Sequence, residues 1–236
     1  ILVINAQQGV EVGTDIFARY ADKYKLPLIV AVNQLDSEKA DWEKTIAEMK
    51  ETFGHKPIIV QFPVNPGPSF DGFIDVLKMK YYHFKDDNGT REDLDIPANL
   101  MDEAETLRQE LIEKAAEFDD TLMERFFENG SLTEDEIREG LGKGIRQGGV
   151  LPIFCLSGKK DIGVKRLMEF TIKTAISPAE TKSATKDGNV VECKTENPTS
   201  VFIYKTERKT QGQGGGHLDE PQANQPLREG TRTKDR

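Results

Sequence analysis

Two short polar segments of the sequence hold residue types that could bind a purine base. Asn33 to Asp36 (Asn-Gln-Leu-Asp) places an amide and a carboxylate three residues apart, after the apolar run from 28 to 32. Ser157 to Lys160 (Ser-Gly-Lys-Lys) places a hydroxyl and a small residue after a second apolar run, from 150 to 156. A carboxylate in such a loop can accept two hydrogen bonds from the ring N–H and exocyclic amine of guanine, whereas adenine would leave it unpaired. Together the two segments favour guanine recognition.

Each segment also has a plain structural interpretation. Asn33 and Asp36 could form an Asx turn that satisfies only backbone groups and starts the next helix. Ser157 to Lys160 could be an ordinary turn between a strand and a helix. The two segments are more specific together than either is alone.

The elements around these segments predict an α/β fold. The apolar runs 1 to 4, 28 to 32 and 150 to 156 are typical of strands buried on both faces, and apolar residues at helical spacing follow each run. Alternation of strands and helices predicts a parallel sheet with helices on both faces. Ligands bind at the carboxyl ends of the strands of such sheets, where both polar segments would lie.

The region from about 56 to 148 is predicted to be an α+β insert in this sheet. It opens with a predicted strand over 56 to 62. Further on it holds a turn-rich connection over 63 to 68 and an extended aromatic stretch over 73 to 84. Three helices follow, over 100 to 118, over 122 to 127, and from a capping box of Thr133 with Glu136. The strand–helix alternation resumes at Val150.

Charge is distributed unevenly along the chain. Residues 86 to 142 hold 19 Asp and Glu against 5 Lys and Arg, a net charge of −14 within a chain whose net charge is −9. The remainder is therefore net positive and could face nucleic acid on one side only, although solvated acidic helices also explain the pattern.

Other features of the composition indicate a soluble cytoplasmic protein. The two cysteines, Cys155 and Cys193, lie in no Cys-x-x-Cys or Cys/His cluster, which fits a reducing compartment. No apolar run approaches the ~20 residues that span a bilayer, and no signal segment opens the chain. A membrane association is therefore not expected.

The sequence changes character beyond residue 176, where the first domain is predicted to end. Residues 177 to 209 are predicted to be the start of an all-β barrel domain, with strands over 189 to 194 and 200 to 206. Residues 210 to 236 contain only two large aliphatic residues and are expected to be a disordered tail. We favour a shifted reading frame or an assembly error as the origin of this tail, with a genuine divergent linker as the alternative.

Taken with these motifs, most of residues 1 to 206 resembles elongation factor G, a translational GTPase. The guanine motif of that family, Asn-Lys-x-Asp, is matched by Asn33, Gln34 and Asp36, and its Ser-Ala-x-Lys motif by Ser157, Gly158 and Lys160. Further phrases recur in the family's order: Gly9 to Thr14, Pro63 to Asp75, Leu111 to Glu113 with Asp119 and Asp120, Leu132 to Ile137, and Pro152 to Cys155. The resemblance implies a P-loop GTPase-type domain whose insert is the family's extra subdomain.

The resemblance also implies nucleotide-binding roles for five residues. Asn33 would contact the edge of the guanine ring, and Asp36 would read the ring N–H and the amine. Ser157 and the backbone N–H of Gly158 would support Asp36 and the base oxygen. Gln34 replaces the family's Lys with a shorter, uncharged side chain, which bears on the strength of nucleotide binding. Gly158 in place of Ala is a milder change, because that position acts through its backbone.

The function implied by the resemblance is that of a GTP-dependent translation elongation factor that promotes ribosomal translocation. The implied cofactors are GTP or GDP with Mg²⁺. The implied partner is the ribosome, contacted at its rRNA and at its stalk protein. The acidic insert is the part expected to contact the stalk protein. Contact with tRNA and mRNA is expected to be indirect. No DNA partner is expected.

Two motifs of the family do not occur in the 236 residues. These are the phosphate loop, Gly-x-x-x-x-Gly-Lys-Ser/Thr, and the Asp-x-x-Gly-His segment that positions the attacking water. His55, His83 and His217 lie in no replacement motif and are expected to be surface or loop residues. We therefore expect an internal fragment with a truncated parallel sheet, in which no residue is catalytic and Mg²⁺ is held by a missing N-terminal part. Such a chain would be inactive alone.

Two alternative functions remain open from the sequence. One is a ribosomal-protection type of translational GTPase, which shares the guanine loops. The other is a non-catalytic, ribosome-binding pseudo-GTPase module. The Gln34 substitution and the missing phosphate loop favour it, whereas a start inside a buried strand does not.

Overall fold

The computed structural model describes residues 1–86, 89–180, 182–184, 188, 190–194 and 196–197. The chain divides into two compact units, of which the first is Ile1–Ala175 and the second begins at Ile176. In chain order, the described elements of the first unit are β1 (Leu2–Asn5), α1 (Val12–Lys23), β2 (Val30–Asn33), α2 (Trp42–Phe53), β3 (Pro57–Ile59), β4 (Gln61–Val64), β5 (Gly72–Asp75), β6 (Lys80–Phe84), β7 (Arg91–Leu94), α3 (Ala98–Ala116), α4 (Asp120–Asn129), α5 (Glu134–Arg146), β8 (Leu151–Cys155) and α6 (Val164–Thr174).

A four-stranded parallel sheet forms the centre of the first unit. Its strand order is β1-β2-β8-β3, and every neighbouring pair is parallel. The central strands are fully covered, since Val30, Val32 and Ile153 are 0% exposed, as expected for a sheet with helices on its faces. The α/β fold class predicted from the sequence is confirmed.

A separate antiparallel sheet and three helices follow β3. The sheet has the order β4-β5-β6-β7, and the helices are α3, α4 and α5. The single strand predicted over 56 to 62 is wrong, because the chain changes sheets at Val60. There β3 ends its pairing with β8 and β4 begins its pairing with β5. The range from 56 to 148 therefore begins with a strand of the parallel sheet.

The capping box predicted at the start of α5 is present. The backbone N–H of Thr133 donates to Glu136 Oε2 at 2.9 Å, and the backbone N–H of Glu136 donates to Thr133 Oγ1 at 3.4 Å. These reciprocal bonds satisfy donors that the first helical turn leaves free. The helix then packs its buried face, which includes Ile137 and Leu141, against the core of the first unit.

Helix α1 forms where apolar spacing predicted it, but its apolar side chains are largely exposed. Phe17 is 66% exposed and Tyr20 is 52% exposed, whereas the buried residues of the helix are Thr14 and Ala21. The apolar spacing therefore located this helix correctly, but the apolar face it predicted is not the face that is buried among the described residues.

The second unit contains a short antiparallel pair after a 3₁₀ turn at Pro178–Glu180. Strand β9 (Lys182–Ala184) pairs with β10 (Val190–Glu192), and β10 lies within the strand predicted over 189 to 194. The strand predicted over 200 to 206 and the tail from 210 to 236 lie outside the described residues. Among the helices of the described ranges, none is long and apolar enough to cross a membrane.

Candidate functional site

The two polar segments lie side by side because they follow neighbouring parallel strands. Strands β2 and β8 are paired with Val32 opposite Cys155, so their carboxyl ends reach the same edge of the sheet. The backbone N–H of Leu35 donates to Leu156 O at 3.3 Å and extends the strand pairing into the loops. We refer to residues 33–36 as the first loop and to residues 157–160 as the second loop.

Two hydrogen bonds join the loops, and both involve side chains predicted from the sequence to be functional. The hydroxyl of Ser157 donates to Asp36 Oδ1 at 2.7 Å, and the backbone N–H of Gly158 donates to Asn33 Oδ1 at 2.9 Å. Ser157 is fully buried, while Asn33 and Asp36 are partly exposed. The structure therefore brings Asn33, Asp36, Ser157 and Gly158 together at one edge of the sheet.

These contacts exclude the Asx-turn interpretation of the first loop. The side-chain oxygens of Asn33 and Asp36 accept hydrogen bonds from the second loop and not from their own turn. The next helix begins elsewhere, because Asp41 is the N-cap of α2 and accepts from the N–H of Lys44 at 2.9 Å.

The second loop fixes the orientation of its own hydroxyl. Ser157 and Ile162 exchange two backbone hydrogen bonds of 3.0 Å, which close the loop. The backbone N–H of Lys160 donates to Ser157 Oγ at 3.2 Å. The hydroxyl therefore accepts from Lys160 and donates to Asp36, an arrangement that holds the Asp36 carboxylate in place.

Gly158 leaves room for a small side chain. A Cβ atom built at Gly158 would lie 3.6 Å from Asn33 Oδ1, an ordinary van der Waals contact. The position therefore accepts either Gly or Ala, and its contribution to the site is its backbone N–H.

Gln34 is the exposed residue of the first loop and has a left-handed backbone, with φ of +64°. Its Oε1 accepts a hydrogen bond from Nε2 of Gln7, in the loop that follows β1. Sequence reasoning missed Gln7. The available signal was that Gln7 follows a strand adjacent to β2, so that both loops leave the same edge of the sheet.

Lys160 connects the second loop to a turn of the antiparallel-sheet region. Its Nζ donates to Pro68 O at 3.2 Å and to Phe70 O at 3.3 Å. The same turn touches the first loop, because the N–H of Gly67 donates to Leu35 O at 2.7 Å. These contacts were not evident from the sequence, because they join a side chain to backbone atoms about ninety residues away.

The histidines are not part of this arrangement as the structure shows it. His55 is exposed, whereas His83 lies on strand β6 with its Nε2 3.6 Å from Asp71 Oδ2. Of the surface or loop position expected for His83, the loop is excluded because the residue lies on a strand, while its side chain is 29% exposed. His217 lies outside the described residues.

The geometry suits a planar base better than a metal ion. In the described part of the chain no hydrogen bond reaches Asp36 Oδ2, which leaves an acceptor on a carboxylate already positioned by Ser157. With respect to the described residues, the Asn33 side chain uses only its Oδ1 in a hydrogen bond, so its amide N–H donors remain available. Among the described residues, no three His, Cys, Asp or Glu side chains are grouped so as to hold a metal ion, and none is assigned to Mg²⁺.

Comparison with known proteins gives a consistent result. The sequence profile of the elongation factor Tu GTP binding domain matches residues 1–177. A Thermotoga maritima protein described as an elongation factor G-like protein is 34% identical over 211 residues, covering 87% of this chain and 30% of that protein. A crystal structure from Thermus thermophilus superposes with a TM-score of 0.68 at 28% sequence identity, covering 75% of this chain and 26% of that chain. The chain thus spans less than a third of each relative's length.

Proposed function

Because the chain belongs to the elongation factor Tu GTP binding domain family, we propose that its two loops recognise the guanine base of GTP and GDP in a translational GTPase. The observation that carries this proposal is the pair of cross-loop hydrogen bonds, Ser157 to Asp36 and Gly158 to Asn33. They hold one carboxylate and one amide at the carboxyl edge of a parallel sheet, where such sheets bind nucleotides.

In this proposal each residue has a distinct task. Asp36 accepts hydrogen bonds from the ring N–H and the exocyclic amine of guanine, while Ser157 keeps its carboxylate oriented. Asn33 donates from its amide to the ring edge, and the backbone around Gly158 lies against the base oxygen. Gln34 lies along the base at the exposed side of the first loop. Adenine would leave the Asp36 carboxylate unpaired, which gives the site its selectivity.

GTP hydrolysis is proposed for the longer parent protein. Phosphoryl transfer requires positioned phosphates, a metal ion and an oriented water molecule. The 236 residues contain no Gly-x-x-x-x-Gly-Lys-Ser/Thr sequence, and we assign none of them to the phosphates or to Mg²⁺. We propose that the chain alone binds the base without hydrolysing GTP, and release of phosphate by the purified chain would contradict this.

The proposed task of the parent is to promote movement on the ribosome, with rRNA and the stalk protein as contacts. The surface proposed for the stalk protein is the acidic part of the insert. Helix α4 exposes Glu124 and Glu128 next to Phe127, which is 77% exposed. Negative charge around an exposed aromatic ring suits a basic partner with an apolar contact point.

Asp36→Asn tests the assignment of the base site. The variant should bind GDP more weakly, by about tenfold or more, and should gain relative affinity for xanthosine diphosphate, whose ring carries an oxygen in place of the amine. Titrations of GDP and xanthosine diphosphate into the chain and its variant measure both effects. Asp102→Asn, at an exposed position on α3, is the matched control. Unchanged GDP affinity in Asp36→Asn would refute the assigned role.

One observation supports a second candidate, a ribosome-binding module without nucleotide chemistry. Gln34 stands where the family motif has Lys, and its side chain is engaged with Gln7. Under this alternative neither GDP nor GTP binds to the intact parent, whereas the acidic insert still binds ribosomes. A ribosomal-protection type of translational GTPase shares the site and would be separated from a translocation factor by assays on the full-length parent.

A further inference from the structure

We propose that Lys160 is a positioning residue for guanine binding and that residues 66–70 of the insert are its anchor, here called the anchor turn. This inference rests on the proposed function, because the site that Lys160 positions is the guanine site. It gives Lys160 of the second loop a stated role, and it adds to the site a segment that lies outside both loops.

The contacts of Lys160 link the anchor turn to the centre of the site. Its ammonium group donates to Pro68 O at 3.2 Å and to Phe70 O at 3.3 Å, while its backbone N–H donates to the hydroxyl of Ser157 at 3.2 Å. Ser157 in turn donates to Asp36. A continuous path of hydrogen bonds therefore runs from the anchor turn through Lys160 and Ser157 to the carboxylate proposed to read guanine.

The anchor turn is itself firmly placed. Phe70 is fully buried, and its N–H donates to Gly67 O at 2.9 Å, which closes the turn. The N–H of Gly67 donates to the carbonyl of Leu35, a fully buried residue of the first loop, at 2.7 Å. The anchor turn therefore touches both loops, so the first loop, the second loop and the turn form a closed ring of contacts.

One close approach and one ion pair bring the insert against the segment after Lys160. A Cβ atom built at Gly89 would lie only 2.8 Å from Asp161 Oδ2, so the backbone of the insert approaches this residue closely. Arg166 donates from Nε to Asp75 Oδ2 at 2.5 Å, and both side chains are at most 4% exposed. The insert thus lies against Lys160, Asp161 and Arg166. Of these three residues, only Lys160 belongs to a guanine loop.

The ammonium of Lys160 satisfies carbonyl oxygens and not a carboxylate. In the described part of the chain, no carboxylate lies within ion-pair distance of its Nζ. A charged donor makes stronger hydrogen bonds than a neutral donor, so a neutral side chain of similar length without these bonds would no longer tie the second loop to the anchor turn. The second loop would then lose its support, and Ser157 would hold Asp36 less firmly.

The test combines nucleotide binding with a structural readout on the same 236-residue chain. Lys160→Met should weaken GDP binding by about tenfold, as expected for the loss of a charged hydrogen bond at a ligand-positioning group, and should speed hydrogen exchange of the Gly67 amide. Lys160→Arg keeps the donors and should restore both properties. Lys165→Met removes an exposed positive charge on α6, outside both loops, and should change neither.

The outcomes separate this inference from the proposed function. If the wild-type chain and Lys160→Met bind GDP equally, or if Gly67 exchange is unaffected, the positioning role is wrong while the guanine site stands. If Lys165→Met weakens binding as much as Lys160→Met, the effect is one of net charge and the inference fails. If the wild-type chain does not bind GDP, the proposed function fails and this inference fails with it.

Discussion

The hydroxyl of Ser157 donates to Oδ1 of Asp36 at 2.7 Å and joins two loops that are 121 residues apart in sequence. Ser157 is fully buried, and its hydroxyl also accepts from the N–H of Lys160. One oxygen atom therefore satisfies a donor in its own loop and orients a carboxylate in the other loop. Removal of this oxygen would leave the Lys160 N–H without its acceptor and the Asp36 carboxylate without its donor.

Ser157→Ala should lower both stability and guanine binding. The loss of a buried hydroxyl that makes two hydrogen bonds should reduce the free energy of unfolding by about 1–3 kcal/mol. GDP affinity should fall because Asp36 loses the donor that orients it. Urea unfolding and GDP titration measure the two effects, and Ser131→Ala, at an exposed serine, should change neither. Wild-type GDP affinity in Ser157→Ala would contradict the proposed link to Asp36.

The ion pair between Asp75 and Arg166 should contribute strongly to the integrity of the first unit. Burial lowers the pKa of Arg166, but the charge and hydrogen bond of Asp75, together with Tyr82 and Glu169, raise it above its ordinary value. Arg166→Met leaves Asp75 as an uncompensated buried charge and should cost about 3–5 kcal/mol. Arg19→Met, which breaks an exposed pair with Asp15, should leave the free energy of unfolding almost unchanged, because solvent screens surface ion pairs.

A double variant distinguishes loss of the pair from loss of packing. Arg166→Met combined with Asp75→Leu removes both charges, so it should be more stable than Arg166→Met alone. Chemical denaturation of the two single variants and the double variant completes the cycle. A double variant as unstable as the sum of the single variants would show that the two residues act independently.

The sequence was sufficient to predict the sheet and the position of the loops. Buried apolar runs identified β2 and β8 as strands, and the rule that ligands bind at the carboxyl ends of parallel strands directed attention to the loops after them. The adjacency of β2 and β8, which places Ser157 against Asp36, agrees with that reasoning. The spacing of apolar residues and the parallel direction of the strands can be predicted from a sequence pattern.

The sequence was a poorer guide where contacts depend on single atoms. Strand β7, Arg-Glu-Asp-Leu, is charged and at the edge of its sheet, so no apolar alternation marked it. The bonds from Lys160 to the carbonyls of Pro68 and Phe70 join a side chain to backbone atoms, for which residue type gives no signal. The exposure of Phe17 on α1 was also unpredictable, because periodicity identifies an apolar face but not whether another element covers it.

Two glycines of α5 should respond to alanine in opposite directions. A Cβ at Gly140 would collide with the backbone carbonyl of Ala115 on α3, whereas the nearest atom to a Cβ at Gly142 is Arg146 Nη1, at 3.7 Å. Gly140→Ala should therefore force the helices apart and cost about 1–3 kcal/mol. Gly142→Ala should stabilise the helix by up to about 1 kcal/mol, because Ala loses less backbone entropy than Gly.

Thermal unfolding of the two glycine variants measures this difference. They change the same residue type to the same residue within one helix, so helix propensity alone would shift both midpoints upward. A rise in the unfolding midpoint of both variants would show that α3 and α5 are not in close contact at Gly140.

Acid should weaken the start of α5 through Glu136. The backbone N–H of Thr133, followed by the Thr133 hydroxyl and Arg125, lowers the pKa of Glu136 from 4.5 to about 2. Because the folded-state pKa lies below the unfolded value, the carboxylate stabilises the fold above about pH 4.5, and this contribution is lost as the pH falls towards about 2. Glu136→Gln should therefore be less stable than the wild-type chain at pH 7, and the difference should shrink across this window. Urea midpoints from pH 7 to pH 2 measure it, with Glu110→Gln, at an exposed position on α3, as the control. A stability difference that stays constant over the whole range would show that the charge of Glu136 plays no part in the cap.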